Sequence, residues 1–192
     1  MNSYKINFPK ISERKTALFF VFLVVTFYCL YIAGFRFILT DSEPVGLYHI
    51  ENADRIERGD LVAACPPAGV TKPAKTRGYV FVAGKCPGRG VPFLKPVVAV
   101  PGDFVQVDSK GVHVNFNLVP NSSPKPTDTK GAPVPGMIGF PGISDGYWLV
   151  SSFSSISYDS RDWDPVKRKD ILYVSDPGLV RISKNQRRYV WK

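Results

Sequence analysis

The 192-residue chain has few of the residues that hold metals: two histidines, three cysteines and no Cys-x-x-Cys pair. Metal-ligand spacings are therefore missing, and neither a metal nor another cofactor is expected. A Ser-His-Asp arrangement also lacks a good candidate, because His49 and His113 are the only histidines and neither lies in a turn. Helical periodicity is scarce outside one N-terminal run. Sixteen glycines and 17 prolines punctuate the rest, which favours many short strands over long helices. There is no internal repeat. With 44% hydrophobic and 13% aromatic residues, the chain is not disordered as a whole.

What the sequence does have is one long uncharged run, residues 17–35. As a helix its 19 residues would span roughly 28 Å, close to the hydrocarbon thickness of a bilayer. Lys5, Lys10, Arg14 and Lys15 precede it against Glu13 alone, whereas Asp41, Glu43, Glu51 and Asp54 follow it against Arg36 and Arg55. Positive-inside asymmetry puts the N-terminus in the cytoplasm and the remainder outside. The run is longer than the apolar core of a cleaved signal, and its nearest cleavage site would need Tyr31 where a small residue belongs. The expected organisation is a basic cytoplasmic leader 1–16, a transmembrane signal anchor 17–39 and one exported domain 40–192. Cys29 falls within the anchor. Cys65 and Cys86 fall in the exported part, where oxidation is permitted, so a disulfide is expected, two free thiols being the alternative.

Beyond the anchor, apolar runs alternate with turn signals. Strands are expected at 46–50, 61–65, 79–83, 93–100, 104–107, 112–116, 147–150 and 171–175, with a hairpin turn at Asp108 to Gly111. Residues 120–142 carry six prolines and read as a surface excursion. The basic, aromatic C-terminus, with Arg187, Arg188, Tyr189 and Trp191, reads as a solvated tail in preference to a lipid contact.

Two residues stand out chemically. Ser42, just past the uncharged run, precedes Glu43-Pro44, and the proline restricts the backbone on both sides. Alone this is one of 15 serines in an ordinary turn. A serine nucleophile needs a base, and a lysine can serve if burial lowers its pKa. A shift of about three units costs roughly 4 kcal/mol, so the lysine needs an apolar setting. Lys95 has one, in Pro92-Phe93-Leu94-Lys95-Pro96-Val97-Val98-Ala99-Val100.

That run continues into Pro101-Gly102-Asp103, and lysine, Val-rich strand and Pro-Gly-Asp together resemble the lysine box of type I signal peptidases (family S26). Ser42-Glu43-Pro44 resembles their serine box, and Ser157-Tyr158-Asp159-Ser160-Arg161 their Asp-Ser-Arg box, in the same order. Ser42 to Tyr48, read as Ser-x-Pro-x-Gly-x-Tyr, and Lys95-Pro96-Val97 are most similar to the conjugative-transfer (TraF-type) branch. The resemblance implies a mainly β, partly closed barrel-like catalytic domain on one N-terminal transmembrane helix of the bacterial inner membrane. It implies Ser42 as nucleophile and Lys95 as general base, with Thr40 and the Ser42 N–H binding the oxyanion and Ser157 orienting the lysine. Asp159 and Arg161 would pair in support, Asp159 having a direct catalytic role as its alternative. The implied partners are an exported precursor, pilin-type or otherwise signal-bearing, and the lipid bilayer, with no nucleic acid. The chain departs from the family pattern after the arginine, where Asp162 and Asp164 replace an aromatic and a glycine, and at Ser151 to Ser155, where Gly-Asp-Asn is usual. A housekeeping signal peptidase and an idle membrane-anchored scaffold are the competing readings. A self-cleaving repressor of related chemistry is excluded by the anchor.

Overall fold

The computed structural model of the protein describes residues 13–39, 42–52, 54–79, 84–134 and 136–181. The chain divides between Phe35 and Arg36 into two units. The first contains helix α1, Glu13–Ile32. Its apolar side chains, Phe19, Phe22 and Tyr28 among them, are exposed rather than packed in a protein core. Twenty residues rise about 30 Å, so length and composition fit a membrane anchor. Cys29 is a free thiol on this helix.

The second unit is mainly β. Its first sheet contains β1 (Phe35–Ile38), β2 (Val45–Glu51), β3 (Leu61–Ala64), β4 (Phe93–Ala99), β9 (Trp148–Leu149) and β10 (Ile171–Arg181), in the spatial order β1-β2-β10-β3-β4-β9. The second contains β5 (Phe104–Val107), β6 (Val112–Val114), β7 (Asn117–Leu118) and β8 (Pro141–Ile143), in the order β7-β6-β5-β8. Both ladders are open, so the barrel-like closure expected from the resemblance goes beyond what they contain.

The longest strand organises the first sheet. Ile171 to Val174 of β10 pair with β3, and Val174 to Arg181 pair with β2, across a register shift between Pro177 and Leu179. The strand therefore runs well past the expected 171–175, because the irregularity absorbs Pro177-Gly178 without ending the ladder. β3 continues the sheet to β4, with Val62 opposite Lys95, and β4 continues to β9, with Val97 opposite Leu149. Residues distant in sequence, those entering β2, those on β4 and those leaving β9, are thus carried into one sheet.

Two buried clusters hold the unit. Val62, Ala64, Val97, Leu149, Trp163 and Ile171 belong to the first, and Ala99, Val105, Val107, Val112 and Trp148 to the second. The hairpin at Asp108 forms as expected, its backbone bonded to Gly111 in both directions. The expected strand 112–116 stops at Val114, because Asn115 and Phe116 both take positive φ (47° and 69°) and turn the chain into β7.

Helix α2, Ala68–Thr76, and the strands β1, β7 and β8 were not foreseen; β1 lies within the residues expected in the anchor, and β8 begins at the end of the expected 120–142 excursion. Helix α2 contains Gly69 and Pro73, which disfavour a helix; it forms because Val70 and Ala74, one turn apart, are both buried. Of the expected strand 79–83, residues 80–83 lie outside the described residues, and Tyr79 sits in a bend after α2. Cys65 and Cys86 form the expected disulfide, closing the loop that contains α2.

Candidate active site

The Ser42 side of the site is a turn closed on itself. The Tyr48 hydroxyl, fully buried, donates to the Pro44 carbonyl at 2.6 Å. Gly46 lies so close to β10 that a Cβ would come within 2.2 Å of the Leu179 carbonyl oxygen, so no side chain fits there. The Ser42 carbonyl accepts a hydrogen bond from Ser151 Oγ at 2.7 Å. Pro44, Gly46 and Tyr48 thus each have a physical task in fixing the serine.

Lys95 is set by strand alternation. Positions 95, 97 and 99 of β4 are all buried on one face, so Lys95 occupies a core-facing place otherwise filled by Val97 and Ala99. It is 3% exposed, with Nζ 2.6 Å from Ser42 Oγ. Nζ also donates to the Leu94 carbonyl at 3.0 Å. Burial holds the Lys95 pKa below its ordinary value, the charges of Glu43 and Asp159 oppose this, and Arg161 adds to it. A neutral amine fits this geometry: one N–H donates to Leu94, and the lone pair accepts the serine O–H. The two histidines are engaged with carboxylates of their own, His49 3.0 Å from Glu51 and His113 3.2 Å from Asp108.

Beside Ser42 and Lys95 stands a buried ion pair. Arg161 Nε and Nη2 donate to Asp159 Oδ1 and Oδ2, each at 2.8 Å, and both residues are almost fully buried. The remaining guanidinium donors go to the carbonyls of Asn121, Ser154, Ser155 and Ser157. Asp159 Oδ2 also accepts the Ser151 N–H at 3.0 Å. A continuous path therefore runs from Asp159 through Ser151 to Ser42. The partner of Arg161 is Asp159, and Asp162 accepts the Asp159 N–H at 3.3 Å. Burial, with the Asp159 charge second, raises the Asp162 pKa to about 7.

Ser157 departs from expectation. It lines the same cleft, but its buried Oγ has no hydrogen-bond partner, and the donors of Lys95 go elsewhere. Its carbonyl, held by Arg161, is the group this structure uses. Thr40 lies outside the described residues.

Two residues were missed from the sequence. Ser151 replaces part of the usual Gly-Asp-Asn motif, and its link between Asp159 and Ser42 leaves no sequence signal of its own. Glu43 entered the reading only as a charged residue on the flank and as the variable place in Ser-x-Pro. It is 1% exposed, and among the described residues neither carboxyl oxygen has a hydrogen-bond partner, since the Ser151 hydroxyl is turned to the Ser42 carbonyl. Burial raises its pKa to about 7, with the Lys95 charge and, less, the neighbouring Ser151 hydroxyl pulling the other way. A carboxylate one residue before a proline that leads into a buried strand was the available clue.

Pro101-Gly102-Asp103 is a tie rather than a chemical group. Asp103 accepts from Arg58 Nε and the Val100 N–H, both at 2.8 Å, and from Asn115 Nδ2 at 3.0 Å. Burial alone would raise its pKa, but these bonds outweigh it and hold the carboxyl below its usual range.

Ser42 and Lys95 open onto a cleft of about 770 Å³, whose apolar walls include Ile38, Leu39, Phe93 and Tyr158. The proline-rich stretch is one wall of this cleft rather than a detached surface excursion. Its Asp128 accepts the Tyr79 hydroxyl at 2.5 Å and lies 3.5 Å from Arg77.

The family model described as signal peptidase, peptidase S26, matches residues 11–176. The chain is 40% identical over 158 residues to the plasmid transfer protein TraF of Escherichia coli, covering 78% of this chain and 85% of that one. It is 40% identical over 152 residues to the probable conjugal transfer protein TraF of Sinorhizobium fredii, covering 78% and 79%. The conjugal transfer protein TraF of Agrobacterium tumefaciens is 40% identical over 146 residues, covering 75% and 81%. No solved structure matches.

Proposed function

Because the chain belongs to the signal peptidase S26 family, on its TraF branch, and so is a serine-peptidase type of enzyme, we propose that it cleaves an exported precursor with a Ser42/Lys95 dyad. The observation that carries this is the 2.6 Å approach of a buried Lys95 Nζ to Ser42 Oγ. Neutral Lys95 takes the serine proton as Oγ bonds to the scissile carbonyl carbon. The resulting ammonium then gives that proton to the departing amine, leaving an acyl-serine. The Ser42 N–H, with the Thr40 hydroxyl, is the oxyanion donor set the family resemblance suggests; one such donor is typically worth roughly 3 kcal/mol. Asp159, paired with Arg161, supports the dyad through Ser151. Lys95 next activates a water that releases the acyl group, or the amine of the retained chain attacks instead and closes a circle.

The relatives' names point to conjugation, and the substrate proposed is a pilin-type subunit of a conjugation or type IV secretion apparatus. α1 holds the enzyme in the inner membrane with its N-terminus cytoplasmic and the catalytic unit periplasmic. A precursor tethered by its own signal helix shares that plane, which raises the effective concentration of both.

The test is mass spectrometry of a pilin precursor incubated with the full chain in detergent. A linear product supports hydrolysis and one lighter by a water supports cyclisation; Ser42→Ala and Lys95→Ala should each leave the precursor uncut. Unchanged cutting by either variant removes the dyad.

A further inference from the structure

The buried charges around the dyad do not balance evenly. Asp159 is matched by the two-bond pair with Arg161, and these two act on Lys95 in opposite directions. Glu43 has no such match. It follows Ser42 directly, is as buried as Arg161, and neither of its oxygens accepts a hydrogen bond among the described residues. The titratable and charged groups it interacts with are Tyr48 from β2, Lys95 from β4 and Asp159 from the segment after β9. Of these, only Lys95 can be neutralised by it.

We propose that Glu43 is a positioning residue for the dyad, one that sets the proton affinity of Lys95 and hence the pH at which the amine becomes free to act as base. This rests on the dyad reading above. The reasoning is electrostatic. Burial disfavours the Lys95 ammonium, and a lysine lowered without limit would be too weak a base to take a serine proton. An ionised Glu43 stabilises the ammonium; a protonated Glu43 does not. One proton shared across the pair leaves the site without net charge whether it resides on the carboxyl or on the amine, so the buried pair titrates as a unit. Burial raises the Glu43 pKa to about 7, so the exchange falls near neutral pH.

The experiment compares wild type with Glu43→Gln and Glu43→Met in the full chain. Both substitutions remove the charge and keep the side-chain length, so if one fails to fold the other still reads. Two quantities are followed against pH: kcat/KM on a pilin precursor, and the 13Cε chemical shift of Lys95 in lysine-labelled protein, assigned by its loss in Lys95→Ala. In both variants the ascending limb of kcat/KM should move toward acid by about one pH unit, a tenfold rate gain at a pH on the limb, and the Lys95 titration should move with it. Glu43→Asp should return both toward wild type. A Lys95 titration that coincides in wild type and both charge-free variants overturns the proposal. If wild type cuts no precursor, the peptidase reading fails. The Lys95 titration then decides the Glu43 proposal by itself: a shift supports it and no shift overturns it.

Discussion

At the scale of single residues, the site separates groups suited to chemistry from groups that hold them. The Asp159–Arg161 pair belongs to the second kind. Cutting one partner of a buried ion pair typically costs about 3–5 kcal/mol, because the other charge is left uncompensated. Arg161→Met should therefore lower stability by that order in urea unfolding, and it should also release the Ser154, Ser155 and Ser157 carbonyls that Arg161 gathers. Ser151→Ala should be milder in stability, about 2 kcal/mol, since its hydroxyl both donates to the Ser42 carbonyl and accepts the Ser154 N–H. Its effect should fall on kcat rather than KM, because what is freed is the Ser42 backbone. A loss confined to KM would show that this hydrogen bond has no part in aiming the nucleophile.

At the scale of elements, the strands most legible in the sequence were those with plain alternation or a strong turn signal beside them. β4, β5 and the Asp108 hairpin fall where expected. α2 was hidden because nine residues with a glycine and a proline have no helical signature, and only burial against the first cluster makes them helical. β10 was underestimated because Asp176-Pro177-Gly178 looks like a stop, yet pairing with β2 across a register shift carries the ladder through it. Ser42 and Lys95, which the fold brings within 2.6 Å, each stood in a legible motif; Glu43 and Ser151 did not, because their surroundings come only from what the fold sets beside them. α2 is held by the disulfide. Closing a loop of this size contributes on the order of 3 kcal/mol, so Cys65→Ser with Cys86→Ser should lower the unfolding free energy by about that amount. The measurement is chemical denaturation with and without reductant, and reductant should have no further effect on the double variant.

At the scale of the whole molecule, the buried Glu43 carboxyl and the half-buried Asp162 carboxyl give stability a pH dependence opposite to the usual one for acids. Glu43 and Asp162 both have pKa values raised to about 7. In the unfolded chain each ionises near pH 4, so between there and neutrality the folded state binds more protons, and stability falls as pH rises. Glu43 alone accounts for about 3 kcal/mol over that window. Glu43→Gln should match wild type near pH 4.5 and exceed it at pH 8, as read by urea midpoints at the two values. Equal midpoints at both would mean that Glu43 is ionised at no cost. Removal of residues 1–35, the first of the two units, should leave a folded enzyme that still cuts a soluble peptide. Its rate on a membrane-held precursor should drop, since the shared plane is gone.

The contact between Gly46 and Leu179 has a meaning for engineering. Moving this dyad onto another scaffold cannot be done by copying Ser42 to Tyr48 alone, since the turn is shaped against a neighbouring backbone with no room for a side chain. The recipient has to be chosen by the spacing of its strands, with a bare carbonyl where Leu179 offers one, before any catalytic side chain is written in.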